Sequence, residues 1–226
     1  MDRRLRLAVD ASVAWYDDVH ALHGIPVHVG QGLWATLGQT IPWHSAAKTV
    51  EPGVSAERVV DAVSALPHCA VADSFGDLAL DARGFTLLLE ATWVHLERAP
   101  DEGLPDGWSM IADADTLAEW STAHDYVGVL PPAALHHPRL QVLACHRGGA
   151  LVGGAVIHDG PGALGFSNSW GAGAVASSEE VLAAVGALHP GRAVTDFAQG
   201  AELEAMLAAG FTPLGPQRVW VRGVPR

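Results

Sequence analysis

Histidines, tyrosines and carboxylates near strand ends are the side chains of this sequence that could do chemistry. There are 12 histidines, and neutral imidazole is a common metal ligand. Asp17, His20 and His23 are spaced so that they could share one side of a helix, and His136 and His137 are adjacent. Adjacent side chains diverge, however, and neither a His-Glu-x-x-His run nor a paired-cysteine spacing occurs, so no metal site is expected. A serine hydrolase is not expected either, because no Gly-x-Ser-x-Gly turn is present to present a nucleophile. The remaining candidates are Asp196 near the end of a strand pattern, His158 beside the turn Asp159-Gly160, and Tyr126, one of two tyrosines, in a loop after a helix pattern. Lys48 is the only lysine beside 12 arginines, which reads as GC-rich coding and not as chemistry.

These groups need a core to hold them. Of 226 residues, 49% are hydrophobic and 17% charged, so disorder is excluded as the main state and one large or two small domains are expected. The formal net charge of −12 argues against nucleic acid, whose affinity comes from clustered cations. No apolar run approaches the roughly 20 residues of a bilayer span, so no membrane partner is expected. Cys69 and Cys145 are too few for a disulfide framework, which fits a cytoplasmic protein.

Apolar positions at Leu5, Ala8, Trp15, Val19 and Leu22, with Ser12 in the same stripe, predict a first helix that Gly24 ends. Loops and short strands are expected over 25–50. Ser55 caps a helix facing inward with Val59 and Val63, and 69–71 and 86–94 read as strands. Residues 99–106 hold two prolines and several acids and read as a linker. Beyond it come a strand at 108–111, a helix opened by the capping box Thr116-Leu-Ala-Glu119, and a meander over 140–146, 151–158 and 164–169. Ser177 then caps a helix, followed by a strand at 193–197, a short helix at 201–209 and a last strand at 211–221.

Two stretches say nearly the same thing. A helix from Glu57 to Leu66, then Val71-Ala-Asp73, Gly84-Phe85-Thr and Trp93-Val, parallels one from Glu180 to Leu188, then Val194-Thr-Asp196, Gly210-Phe211-Thr and Trp220-Val. The chain reads as a duplicated unit with an abbreviated first copy. Asp196 and its twin Asp73 could therefore do no more than bond the turns that follow them. Of the eight tryptophans, Trp93 and Trp220 read as core, Trp34 and Trp43 could line a cleft between halves, and Trp170 could pack on a ligand.

From Trp108 onward, the order strand, helix, three-strand meander, helix, strand, helix, strand resembles the GNAT (GCN5-related N-acetyltransferase) superfamily. The tail Ala209-Gly210-Phe211-Thr-Pro-Leu-Gly215 with Arg218-Val-Trp220 resembles the Gly-Phe turn that ends that family's last helix. The two-part layout resembles that of actinobacterial GNAT-like proteins. The resemblance implies an α/β fold, a mixed sheet flanked by helices, with a partial half at 1–98, the linker 99–106 and a complete half at 107–226. It implies acyl transfer from acetyl-CoA or another acyl-CoA to a small amine or amino-acid-like acceptor, and it leaves a homodimer open. The pantetheine arm would enter a splayed gap between the fourth and fifth strands of the complete half, with a glycine turn and helix N-terminus behind it for the pyrophosphate.

The closest match to that turn is Asn168-Ser-Trp-Gly171-Ala-Gly173, with Asn168 where the family places Gln or Arg. On this resemblance Ser167, Asn168, Ser169, Trp170, Gly171, Ala172 and Gly173 meet the cofactor. Asp196 or His158 takes the proton, since the fourth strand offers no carboxylate. Met206 stands where many members carry an acid tyrosine, which leaves Tyr126 as the substitute. The competing readings are a pseudoenzyme that binds a ligand, and an enzyme of natural-product metabolism that uses the cleft between the halves.

Overall fold

The computed structural model describes residues 1–171 and 178–223. Helix α1 (Arg3–Leu22) opens at Asp2, whose carboxylate accepts from the Arg4 N–H at 2.8 Å. It closes before Gly24, whose φ of +65° is the left-handed turn that glycine accepts without strain. Three short strands follow, β1 (Val27–Gly30), β2 (Leu33–Thr36) and β3 (Ala47–Thr49). Next come α2 (Ala56–Ala62), capped by the Ser55 hydroxyl, then β4 (Cys69–Asp73) and the long β5 (Thr86–Leu96). The second part comprises β6 (Trp108–Met110), α3 (Ala114–Ala123), the meander β7 (Leu140–Arg147), β8 (Ala150–Asp159) and β9 (Leu164–Gly171), then α4 (Ser178–Leu188), β10 (Val194–Ala198), α5 (Gly200–Ala208) and β11 (Thr212–Arg222).

One local expectation changes. Helix α3 begins earlier than the Thr116 box, because Asp113 is extended and its carboxylate takes both the N–H and the hydroxyl of Thr116 at 2.9 Å. The expected cap Ser177 lies outside the described residues. The Gly-Phe turn forms as expected, with Gly210 at φ +94° and the Phe211 N–H returning to the Met206 carbonyl at 3.1 Å.

All described strands join one sheet in the order β1-β2-β3-β4-β11-β5-β10-β9-β8-β7-β6. The two long strands, β11 and β5, are antiparallel neighbours at its centre, so β11 lies between β4 and β5, and β5 lies between β11 and β10. Outward from this pair the directions match on both sides. β4 and β10 are antiparallel to their central neighbours, and each is parallel to the next strand out, β3 and β9.

Strand alternation separates two cores. On one face Leu143 and Cys145 of β7 pack with Ile157, Phe166 and the apolar sides of α4 and α5. On the other, Val142, Ala144 and Val156 meet Trp15 and Val19 of α1 and Leu117 and Trp120 of α3. Helix α1 therefore belongs to the N-terminal segment by sequence but lies on strands of both segments, with contacts to β5, β8, β9, β10 and β11. Its small residues permit this approach. A Cβ on Gly160 would stand 2.8 Å from the Cα of Ala11.

Candidate functional site

Strands β9 and β10 pair only at Leu164 with Val194 and Gly165 with Thr195, and then part. The cause is local. On the other edge of β9, Gly154 faces Trp170 and Val156 faces Ser167, so Asn168 and Ser169 together oppose the single residue Ala155. Asn168 holds φ +54°, a left-handed conformation that asparagine tolerates better than most residues. Such a bulge bends its strand, and here it accompanies the parting of β9 from β10.

Beneath the opening lies a cavity of about 310 Å³. Residues 165–169 of β9 and Asp196 and Phe197 of β10 form one side. Ala8, Ala11 and Ser12 of α1 leave it room, and the rings of Trp15, Tyr16, Trp93 and Tyr126 form apolar walls. Its mouth carries Trp43, which is 71% exposed and left-handed at φ +61°, and whose indole N–H donates to the Asp125 carbonyl at 3.0 Å.

The cavity gathers the expected proton-handling groups. Asp196 carries a carboxyl whose pKa burial raises well above the ordinary value, with the neighbouring Glu202 charge acting the same way. The Phe197 N–H, donating to Asp196 Oδ1 at 2.7 Å, opposes the rise. Glu202, in the first turn of α5, is also pushed up by burial, against the Ser169 hydroxyl 3.5 Å from its Oε1. Two carboxyl groups whose pKa burial raises thus face one cavity; in its ionised form each is a stronger base than a solvated carboxylate and can take a proton from a bound ammonium.

His158 is 2% exposed and its Nε2 lies 2.7 Å from Asp18 Oδ2. A carboxylate only accepts, so Nε2 carries the hydrogen and Nδ1 keeps a free lone pair, with no partner among the described residues. Burial lowers the imidazole pKa, and Asp18 opposes the fall. The result is a neutral ring with a lone pair to offer, oriented by a carboxylate that also contacts Arg139. Tyr126 is 5% exposed, and burial pushes its phenol pKa up, so it stays protonated at any physiological pH. Asn168 hydrogen-bonds to it.

Other candidates go elsewhere. Trp170 lies away from the cavity lining, its ring 5.8 Å from that of His124 and nearly parallel to it. Ser167, Asn168 and Ser169 line the cavity, Gly171 ends β9, and Ala172 and Gly173 lie outside the described residues. Met206 is 1% exposed within the α4/α5 core and can donate no proton. The Asp17, His20 and His23 set disperses. Asp17 accepts from the Trp34 indole at 2.7 Å, His20 bonds the Tyr16 carbonyl and the Thr40 hydroxyl, and His23 bonds the Val129 carbonyl. Asp73 accepts from three N–H groups of the turn after it, those of Phe75, Asp77 and Leu78, a structural role. Its counterpart Asp196 makes one such bond and also lines the cavity.

Sequence reasoning did not single out Asp18, Glu202 or His44. His44 lines the cavity with both ring nitrogens occupied: Nε2 accepts from the Trp15 indole at 3.0 Å, and Nδ1 lies 2.9 Å from the Pro42 carbonyl. Burial brings its pKa down to about 4, so it is a neutral wall. A signal existed for Glu202, six residues beyond Asp196 at the start of a helix pattern. None existed for Asp18, which is 140 positions from the histidine it orients.

The sequence matches no protein-family model and no curated protein. Solved structures do match. A GCN5-related N-acetyltransferase from Kribbella flavida superposes with TM-score 0.62 at 14% identity, covering 97% of each chain. A conserved protein of unknown function from Staphylococcus epidermidis reaches 0.65 at 9% identity over 88% of this chain and 94% of its own. A GCN5-related N-acetyltransferase-like protein from Streptococcus suis reaches 0.53 at 12% identity over 97% and 98%. With the parted strands, the meander and the Gly-Phe turn, these superpositions show that the chain has the GNAT fold across nearly its whole length.

Proposed function

We propose that the protein transfers an acyl group, acetyl in the simplest case, from coenzyme A to the amine of a small acceptor bound in the cavity. The observation that carries this reading is the coincidence of the β9/β10 opening with a cavity that holds Asp196, Glu202 and His158. Past Gly165 and Thr195 no ladder pairing joins the two strands, which leaves the space between them for a pantetheine arm. Residues 167–171, with Ala172 and Gly173 beyond them, are the segment that would hold it. Bound acyl-CoA would supply an activated thioester carbonyl.

The chain's own residues would do the rest. The aromatic walls would exclude water and hold the body of the acceptor. Asp196, or His158 through Nδ1, would take the proton that an ammonium must lose before it becomes a nucleophile. Tyr126, protonated and in the same cavity, is the available donor for a leaving thiolate, since Met206 has no proton to give. In this reading residues 1–98 and 107–226 are two related halves joined by 99–106, and their exchanged central strands β5 and β11 support a duplication. The two cysteines, both buried and unpaired, support a cytoplasmic setting.

The test is thermal unfolding with acetyl-CoA, longer acyl-CoAs and free CoA. A ligand at 100 times its Kd stabilises by about 2.7 kcal/mol, which for this size is a shift of roughly 5–11 °C. No shift with any of them rejects the reading. One feature favours a second reading: the cavity is walled by α1, Trp43 and Trp93 as well as by β9 and β10, while the usual acid position is Met206. A GNAT-fold protein that only binds a ligand there, or acts on it without CoA, would give that negative result.

A further inference from the structure

The charges around the cavity are all of one sign. Its acidic members are Asp196 of β10 and Glu202 of α5, on the elements beside the parting of β9 from β10. The Asp196 carboxyl accepts the Phe197 N–H, and Glu202 Oε1 lies 3.5 Å from the Ser169 hydroxyl. No lysine or arginine lines the cavity among the described residues, and 172–177, which follow β9, contain none. Its two histidines are neutral: His44 has a pKa of about 4, and burial lowers that of His158, whose Nε2 hydrogen goes to Asp18. Two cations on the surrounding elements stay out of the lining. Arg139 is paired with Asp18, and Lys48 of β3 packs 5.2 Å from the ring centres of Tyr16 and Trp93, which line the cavity where it does not.

Much of the remaining surface is ring. Trp15, Tyr16, Trp93 and Tyr126 wall the interior, and at the mouth the exposed Trp43 stacks on no other described ring. A volume of about 310 Å³ is that of a small-molecule site. A ligand carboxylate placed there would leave water beside two carboxyl groups with no cation to meet it, which is costly. A ligand ammonium instead meets opposite charge on ionised Asp196 and Glu202, and in turn favours their ionised form. An apolar body, a ring above all, packs on the aromatic walls without giving up hydrogen bonds.

We propose that the acceptor is a primary amine on a compact, ring-bearing apolar body and that it carries no carboxylate, with its ammonium toward Asp196 and Glu202 and its body along the aromatic walls. Of the small amine and the amino acid, the cavity thus selects the amine. The molecule is an acceptor only if the acyl-transfer reading holds, whereas its binding follows from the cavity alone. The chain's net charge of −12 acts in the same direction, drawing cations toward the protein.

Calorimetric titration, with and without saturating free CoA, compares molecules built on one skeleton. The probe is phenethylamine. L-phenylalanine adds a carboxylate to it, 3-phenylpropionate exchanges the amine for one, phenylethanol removes the charge and ethylamine removes the ring. Phenethylamine is expected to bind at least about tenfold more tightly than each of the other four, the scale of one hydrogen bond to a charged group. In the double variant Asp196→Asn with Glu202→Gln, which keeps the size of both side chains, phenethylamine should weaken about tenfold or more while phenylethanol binds as before. Binding by any of the four as tight as that of phenethylamine, an amine affinity unchanged in the double variant, or no amine binding in either titration overturns the proposal. If that happens while acetyl-CoA still raises the melting temperature, acyl transfer stands without this acceptor class. Amine binding as expected with no shift from any CoA keeps the amine site and rejects the transferase, so the two failures are told apart.

Discussion

Removing a buried charge is expected to stabilise this protein. The Lys48 amine has an ordinary pKa of 10.5 and one of about 7 in the fold. Its folded pKa lies below the unfolded value, so between about pH 7 and 10.5 the unfolded chain holds the extra proton. Stability therefore rises with pH through that window, and the cost of burial is fully felt below pH 7. At roughly 1.4 kcal/mol per pH unit, the window sums to about 5 kcal/mol as an upper bound. Lys48→Met keeps the length of the side chain and removes the ammonium. It also loses two ring contacts worth about 0.5–1 kcal/mol each, which leaves a net gain of about 3 kcal/mol near pH 7. At roughly 2–4 °C per kcal/mol the variant should melt about 6–12 °C above the parent. The assay is denaturant and thermal unfolding of both proteins from pH 6 to 10.5. The gap should be widest at pH 6–7 and close toward pH 10.5. A variant less stable than the parent at pH 7, or a gap independent of pH, would refute the argument and mean that the fold itself satisfies the charge.

Other perturbations test the site and its supports. Asp196→Asn keeps the size of the side chain and its bond from the Phe197 N–H, so the fold should hold while acyl transfer at neutral pH falls about 100-fold or more; equal rates would return Asp196 to the turn-forming role of Asp73. Asp18→Asn removes the influence that raises the His158 pKa, so the acid limb of the pH–rate profile should move to lower pH, and a limb that stays or rises counts against His158 as base. The same variant leaves Arg139 without its carboxylate and should cost about 2–3 kcal/mol in urea unfolding, less than a fully buried pair because Arg139 is 45% exposed. Gly154→Ala would drive a Cβ into the Trp120 indole and to 2.6 Å from the Leu143 carbonyl, groups joined by a 3.0 Å hydrogen bond. The expected cost is about 1–3 kcal/mol, and a melting temperature within a degree of the parent would contradict that packing.

Periodicity carried much of the architecture. The stripe on α1, the meander over β7, β8 and β9, and the strand and helix order after Trp108 are statements about neighbours in sequence, and they appear within a few residues of where the pattern puts them. The helix start at α3 was misread because Asp113 and Thr116 both offer caps, and only the extended backbone at Asp113 selects between them. At the site, Asp196, His158 and Tyr126 were visible as strand-end and loop residues, and the structure brings all three to one cavity. Lys48 was read as codon bias, because nothing local to β3 tells that its amine ends between two rings from α1 and β5.

By itself the sequence determined the elements, their order, the Gly-Phe turn and the acidic, lysine-poor composition, since all of these depend on residues close along the chain or on counts. Only the tertiary structure decided that β5 and β11 interleave at the centre of the sheet, that α1 covers the opening between β9 and β10, and that Asp18 orients a histidine 140 residues away. It also decided which titratable groups are unusual. Burial and the absence or presence of a partner set a pKa, and both are properties of what surrounds a side chain in space.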